Sequence, residues 1–275
     1  MKRITRLLSG LLLLLPIAIL AQQDTVLYQR DSTVIPETDP TTLFFQQNEK
    51  AATPSKLMLV TKARKTISLA SFLKSPGQHA DHALADLDGD GKKELLLYNF
   101  TGGAHCCDEI YVFRNTGLNR YQHAVKLFAG NTVIIPEKDF VYNFHEQFGY
   151  FFTCFACSYS DTTDAAPIPM QNILLRYNKG KMQVVAPDKE LRSVINDNLG
   201  KLGEQPYEKL EDATSFDNGL RKEFALNLAV FYYSYGRSLA ETQKLFNKYY
   251  QFPDAKKVWT SFVSTLNAIR KQSDF

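Results

Sequence analysis

The chain has 275 residues, with 32 Lys and Arg against 29 Asp and Glu for a formal net charge of +3; 44% of its residues are apolar and 12% are aromatic. That apolar content supplies a core and excludes a disordered chain. The charge excess sits in the first six residues, as Lys2, Arg3 and Arg6, so the rest of the chain balances to zero and offers no phosphate-binding stripe; nucleic acid is not an expected partner.

Behind those basic residues runs an apolar stretch, Leu7 to Leu20, then Ala21 before Gln22. A basic start, an apolar middle and a small residue at the end make a secretory signal peptide over 1–21. The apolar run is short for a spanning helix and is interrupted by Ser9, Gly10 and Pro16. A periplasmic or secreted location is expected, with no membrane span once the signal is removed.

Residues 22–55 are polar and broken by Pro36, Pro40 and Pro54, with apolar islands at Val26–Tyr28 and Leu43–Phe45. They read as a leader or linker able to lay one short strand on the main domain. Residues 56–187 read as β-rich. Strands are predicted over Leu57–Thr61, Thr66–Phe72, Ala83–Leu87, Glu94–Phe100, Asp108–Arg114, Tyr121–Phe128, Thr132–Ile135, Phe148–Tyr159, Asn172–Tyr177 and Lys181–Ala186. Asn115-Thr-Gly117 and Asn178-Lys-Gly180 are hairpin turns with a glycine where positive φ is needed.

Residues 188–275 read as helical. Asp188 is placed to cap a helix carrying Leu191, Val194, Ile195 and Leu199 and stopped by Gly200. Leu220, Phe224, Leu228, Phe231 and Tyr235 share a face, and Gly236 ends that helix. Ser238 with Glu241 forms a capping box. Pro253 opens a last helix bearing Val258, Phe262, Leu266 and Ile269. The fold class is therefore α+β: an antiparallel β-rich domain, a sandwich or curled sheet, followed by a C-terminal helical bundle. A closed propeller needs more blades of four strands than about 130 residues hold.

The strongest chemical signal is Asp86-Leu-Asp-Gly-Asp-Gly-Lys-Lys-Glu94. Calcium takes six to eight oxygens, and carboxylates on alternate residues of a tight turn converge on one point. Asp86, Asp88, Asp90, the carbonyl of Lys92 and Glu94 form the expected ligand set, with Gly89 and Gly91 supplying the turn. An EF-hand would need a ligating acid at its twelfth position, which here is Leu97, so the loop joins two strands instead.

Ala85 to Leu97 resembles the calcium loop of the FG-GAP/VCBS family, found in integrin α-subunit propellers. Thr101-Gly-Gly-Ala-His-Cys-Cys107 resembles a segment that comes after such loops in secreted bacterial proteins without an assigned activity. The resemblance covers about 83–114. It departs from the integrin pattern in carrying Glu94 at the ninth position and a single copy of the loop.

Four cysteines, Cys106, Cys107, Cys154 and Cys157, would be oxidised after export. On an extended strand the Cα atoms of Cys154 and Cys157 would lie about 10 Å apart, beyond disulfide reach. Bonds between the two pairs are therefore expected, closing loops of about fifty residues worth about 3–4 kcal/mol; a vicinal Cys106–Cys107 bond also remains open. Together with His105 the four thiols could hold zinc or copper, but adjacent residues point to opposite faces of a strand. Cys154-Phe-Ala-Cys157 has dithiol-oxidoreductase spacing, yet that motif opens a helix, and here a strand is predicted. His79 and His82 read as exposed connection residues, His123 as lying on a solvent-facing strand surface, and His145 with Glu146 as an isolated acid–base pair.

No Gly-x-Ser-x-Gly, His-Glu-x-x-His or phosphate-loop motif occurs. The function expected is that of an exported, calcium-stabilised interaction module for a protein or glycan, with 102–107 as contact surface. The competing readings are a hydrolase using calcium or the His105/Cys cluster, and a structural partner docking through its C-terminal helices.

Overall fold

The computed structural model describes residues 42–47, 54–60, 66–68, 79–100, 102, 108–116, 121–128, 133–134, 139–157, 159, 170–210 and 217–275. The signal-peptide segment, His105, Cys106 and Cys107 lie outside the described residues.

Eleven described strands form three antiparallel sheets. β1 (Thr42–Gln47), β2 (Pro54–Val60) and β3 (Thr66–Ser68) make the first, in that order. The apolar island of the leader is what pairs, with Leu43 opposite Leu59 and Phe45 opposite Leu57. β4 (His79–Ala85), β5 (Glu94–Phe100), β6 (Asp108–Asn115) and β7 (Tyr121–Phe128) make a four-stranded meander. β8 (Val133–Ile134), β9 (Asp139–Asn143), β10 (Asn172–Asn178) and β11 (Lys181–Val184) make the third, ordered β11-β10-β9-β8. Neighbours in sequence are neighbours in the sheets, and no sheet closes into a barrel.

The second hairpin signal converts directly into geometry, while Gly117 of the first lies outside the described residues. Lys179 and Gly180 take φ of 48° and 88°, and Asn178 pairs with Lys181, so the β10–β11 turn has two central residues with positive φ. That backbone matches the twist of the flanking strands. β10 alternates, with Ile173, Leu175 and Tyr177 buried and their neighbours exposed. β5 does not alternate. Leu96 pairs with Val112 and, through it, Val125 on one face, while Leu95 pairs with Phe113 and Leu97 with Tyr111 on the other, and all seven are buried. A strand covered on both faces reads as a continuous apolar run, as Leu95-Leu96-Leu97 does.

Four long helices complete the chain: α2 (Leu191–Gly203), α3 (Leu220–Ser234), α4 (Leu239–Tyr249) and α5 (Ala255–Gln272); a single turn, α1 (His145–Phe148), lies between β9 and β10. Helices and sheets share one continuous core that runs from Leu87 and Leu96 through Phe140 and Leu175 to Leu199, Phe224 and Phe262. α3 is its axis, touching α1, α2, α4, α5 and β10. This is why α3 is buried nearly all round, from Phe224 to Tyr233, and not only on the face marked by Leu220, Phe224, Leu228 and Phe231. α5 keeps to its expected stripe of Val258, Phe262, Leu266 and Ile269.

The helix boundaries separate sound signals from weak ones. Ser238 caps α4 by accepting the Glu241 N–H at 3.2 Å, and Gly236 adopts φ 85° where α3 ends. Asp188 does not cap α2; it accepts the Glu190 N–H at 2.8 Å in a turn one step earlier, and Glu190 takes the cap position. Gly200 does not stop that helix either. An added Cβ there would meet only Tyr249 Cε1 at 3.7 Å, whereas at Gly203, in the last turn, it would meet the Tyr249 carbonyl oxygen at 2.5 Å. Close approach of α4 selects glycine at 203.

The predicted strand over Phe148–Tyr159 is overturned. Phe148 ends α1, and residues 149–157 form irregular turns, with Phe152 at φ 58°. The aromatic rings that suggested a strand are core anchors of a folded-back segment: Phe148 stacks on Phe262 and packs edge-on to Phe151. The strand in this region is β9, whose Phe140 and Tyr142 point into the core.

Residues 273–275 return to the meander. Lys126 and Asp274 exchange backbone and side-chain bonds at 2.7 and 2.9 Å, Ser273 Oγ accepts the Phe128 N–H at 2.8 Å, and Arg237 donates to the Phe275 carbonyl at 2.7 Å. The Phe275 ring lies against Tyr142 and Tyr233. This strap covers the free edge of β7.

Candidate metal centre

β4 and β5 meet as an antiparallel hairpin whose last pair is Ala85 with Glu94, and residues 86–93 form its loop. Gly89 and Gly91, at φ 75° and 83°, turn the backbone so that side chains of alternate residues face inward. One carboxylate oxygen each of Asp86, Asp88 and Glu94 lies within 4.8 Å of the other two.

Each of these carboxylates is held by one backbone N–H. Asp86 Oδ2 accepts from Gly91 at 3.1 Å, Glu94 Oε2 from Leu87 at 3.0 Å, and Asp88 Oδ2 from Lys179 at 3.1 Å. The last bond comes from the tip of the β10–β11 hairpin and ties the loop to the third sheet. Asp86 Oδ1 and Asp88 Oδ1 are buried without a hydrogen-bond partner among the described residues. A buried carboxylate oxygen without a partner is costly.

Electrostatics at the loop are repulsive. Two like unit charges at this spacing repel by about 3–4 kcal/mol at an effective dielectric near 20. Glu94, only 1% exposed, carries the consequence: burial, reinforced by the charges of Asp88 and Asp90, pushes its pKa up to about 7 against the opposing pull of the Leu87 N–H. Tyr177 lies beside the loop; burial first, then Glu94 and Asp88, raise its phenol to about 12.

The Asp90 carboxylate is not gathered with the other three. Asp90 Oδ1 accepts the Lys92 N–H at 2.8 Å, and the Lys92 ammonium sits 3.5 Å from Asp90 Oδ2. That backbone bond is the main reason the Asp90 carboxyl lies below its ordinary value. The donor set is all oxygen, with no imidazole or thiolate, which suits a hard divalent cation such as calcium rather than zinc or copper. Three carboxylates leave the remaining coordination to carbonyls and water.

The other expected residues fall elsewhere. His82, expected in an exposed connection, is 8% exposed on β4. His123, expected on a wet face, is half-buried between the rings of Tyr111 and Phe113, and burial lowers its pKa. His145 lies on α1, edge-on to Phe155, with its pKa lowered by burial and by Lys222.

Cross-pairing of the cysteines is corrected: Cys154 bonds to Cys157. The expectation failed because it assumed an extended strand. In the turn that forms instead, the Cys157 N–H bonds the Cys154 carbonyl at 3.2 Å and the Cα atoms lie 5.1 Å apart, within disulfide reach.

The backbone N–H groups of Leu87, Gly91 and Lys179 were missed from sequence. Only the Lys179 amide carried a signal, since the tip of an Asn-Lys-Gly turn leaves N–H groups outside the strand ladder.

Fold and loop together define an α+β protein in which open antiparallel sheets carry an acidic hairpin loop and pack against C-terminal helices. Comparison with protein-family models, curated proteins and solved structures returns no match. The FG-GAP/VCBS resemblance therefore rests on the loop residues themselves.

Proposed function

We propose that this chain is an exported interaction module, of the FG-GAP/VCBS-like type, whose β-rich part is braced by one calcium ion. Asp86, Asp88 and Glu94 hold the ion, and Asp90 and the Lys92 carbonyl join when it binds. The observation that carries the reading is the pairing of pinned and unpartnered oxygens: backbone N–H groups fix the three carboxylates, while Asp86 Oδ1 and Asp88 Oδ1 remain without a partner among the described residues. A cation there turns mutual repulsion into attraction and satisfies both oxygens.

The role of the metal is structural. It locks the β4–β5 hairpin, and through Asp88 and Lys179 it fixes the β10–β11 tip against that hairpin. β5, which runs from Glu94 at the loop to Phe100 at its far end, is thereby fixed as a base from which the following segment, 102–107, meets a protein or glycan ligand. Export supplies both millimolar calcium and the oxidising conditions for the disulfide.

Calcium titration by calorimetry on residues 22–275, with melting curves in calcium and in chelator, tests this. Calcium at 100 times its Kd stabilises by about 2.7 kcal/mol, which for a chain of this size raises Tm by about 5–10 °C. Asp88→Asn removes most of that gain. Absence of binding heat together with identical melting in calcium and chelator refutes the proposal.

A further inference from the structure

Lys222 lies on α3 with 1% of its surface exposed. Its ammonium is hung on three backbone carbonyls: Phe155 at 3.0 Å, Cys154 at 3.4 Å and Gly149 at 3.4 Å. No carboxylate comes within ion-pair distance of it among the described residues. Asp217, which attracts it from a distance, is committed to Arg221 at 2.7 Å, and Glu223 is its neighbour on the same helix. A buried cation without a counter-ion is expensive, and two of the three oxygens that compensate it, those of Cys154 and Phe155, belong to the turn closed by the Cys154–Cys157 disulfide.

That turn is reachable. Cys154, Phe155 and Cys157 are half-buried, Ala156 is exposed, and Tyr150, 69% exposed, lays its ring against Phe155. His145 adds a second N–H donor to the same Phe155 carbonyl that Lys222 holds. The disulfide closes a loop of only four residues, so it removes far less chain entropy from the unfolded state than the fifty-residue loops open to these cysteines. A Cys-x-x-Cys pair that closes so short a loop, is half-buried at its surface, and has a buried cation bonded to the carbonyls of Cys154 and Phe155 has the surroundings of a reactive pair, not of a structural one.

We propose that Cys154 and Cys157 form a thiol–disulfide exchange site in which the buried Lys222 ammonium stabilises the reduced form by facing the thiolate that reduction creates. The co-reactant is a free thiol. Its thiolate attacks one sulfur of the pair, a mixed disulfide bond forms, the Cys154–Cys157 bond breaks, and the electron pair leaves on the other cysteine. A second thiolate attacks the outer sulfur of the mixed disulfide and frees the remaining cysteine as thiolate. Two external thiols become one disulfide and the pair gains two electrons; of the two protons released by the thiols, one protonates one cysteine through solvent and the other passes to solvent, leaving the second cysteine as the thiolate that the Lys222 ammonium offsets. Lys222 acts as a positioning residue, and this site works independently of the calcium loop.

The test is redox equilibration of the folded full chain in mixtures of reduced and oxidised glutathione, with acid quenching, alkylation and peptide mapping to separate this pair from Cys106 and Cys107. The pair should exchange with the glutathione pool, and Lys222→Met should shift its equilibrium toward the disulfide by at least about tenfold. A second measurement needs no variant: in the reduced wild-type protein one of the two thiols should react with iodoacetamide at pH 7 at least about tenfold faster than a cysteine in an unstructured peptide. Exchange with a cysteine-containing peptide as well as with glutathione would mark protein thiols as partners, and exchange with glutathione alone would mark small thiols; either supports the site. A pair that stays oxidised in excess reduced glutathione, an equilibrium unmoved by Lys222→Met, or alkylation of both thiols at the peptide rate overturns it.

Discussion

Replacing Glu94 with Gln should make the chelated protein more stable and the calcium-loaded protein less so. Glu94 is buried beside Asp88 and Asp90, and its pKa rises from an ordinary 4.5 to about 7. At about 1.4 kcal/mol per pH unit, that displacement corresponds to about 3 kcal/mol. The sign comes from proton count. Without metal the folded chain keeps a proton on Glu94 that the unfolded chain releases near 4.5. This contribution is fully present below that pH and is lost as pH rises through 7. Chelated wild-type protein should therefore lose about 3 kcal/mol, or about 6–12 °C in Tm, more than Glu94→Gln between pH 4.5 and 8. Gln keeps an oxygen for the Leu87 N–H, so the hairpin itself survives. Urea denaturation of both proteins at several pH values, in chelator and in saturating calcium, reads the difference. In chelator at pH 8 the variant should be the more stable; in calcium the order should reverse, because the variant has lost a charged ligand. Parallel pH profiles in chelator, or a variant less stable than wild type under both conditions, would refute this electrostatic reasoning.

Three further substitutions and one truncation probe the frame. Arg221, 1% exposed, pairs with Asp217 at 2.7 Å and Asp254 at 2.8 Å and donates to the Glu208 carbonyl; Arg221→Met should cost about 3–5 kcal/mol in urea unfolding because two acids lose their partner, and a cost under about 1 kcal/mol would contradict it. Gly203→Ala should destabilise by about 1–3 kcal/mol, since its Cβ would meet the Tyr249 carbonyl, whereas Gly200→Ala should be neutral or stabilise by up to about 1 kcal/mol; equal effects would show that α4 does not approach α2 as described. Removing residues 273–275 should speed hydrogen exchange at the Lys126 and Phe128 amides, which bond to Asp274 and Ser273, and unchanged exchange there would contradict the strap.

The sequence was legible where local chemistry and fold agree. Asn178-Lys179-Gly180 produced its hairpin, Ser238 and Glu241 their cap, and Val258, Phe262, Leu266 and Ile269 their buried stripe. The doubly apolar run Leu95-Leu96-Leu97 announced a strand buried on both faces. It was illegible where distant contacts decide. Aromatic residues between Phe148 and Phe155 have strand-like composition, but helices give their rings partners away from a sheet: Phe262 of α5 stacks on Phe148, and Arg221 of α3 lies over Phe152. Burial of His82 and His123 depends on what packs over β4 and β7, which no local pattern encodes. In the loop, spacing put Asp86, Asp88 and Glu94 together, while Asp90 turned to the neighbouring Lys92. The bond from Lys179 to Asp88 spans 91 residues of sequence and could come only from the fold.

Crystals of residues 22–275 grown in calcium, with anomalous scattering collected to identify the ion, test the central claim most directly. A single peak should stand between Asp86, Asp88 and Glu94, with oxygens at about 2.3–2.6 Å and Asp90 swung away from Lys92 toward it. Three carboxylates around a site without such a peak at saturating calcium, or side chains turned apart from any shared centre, would contradict it.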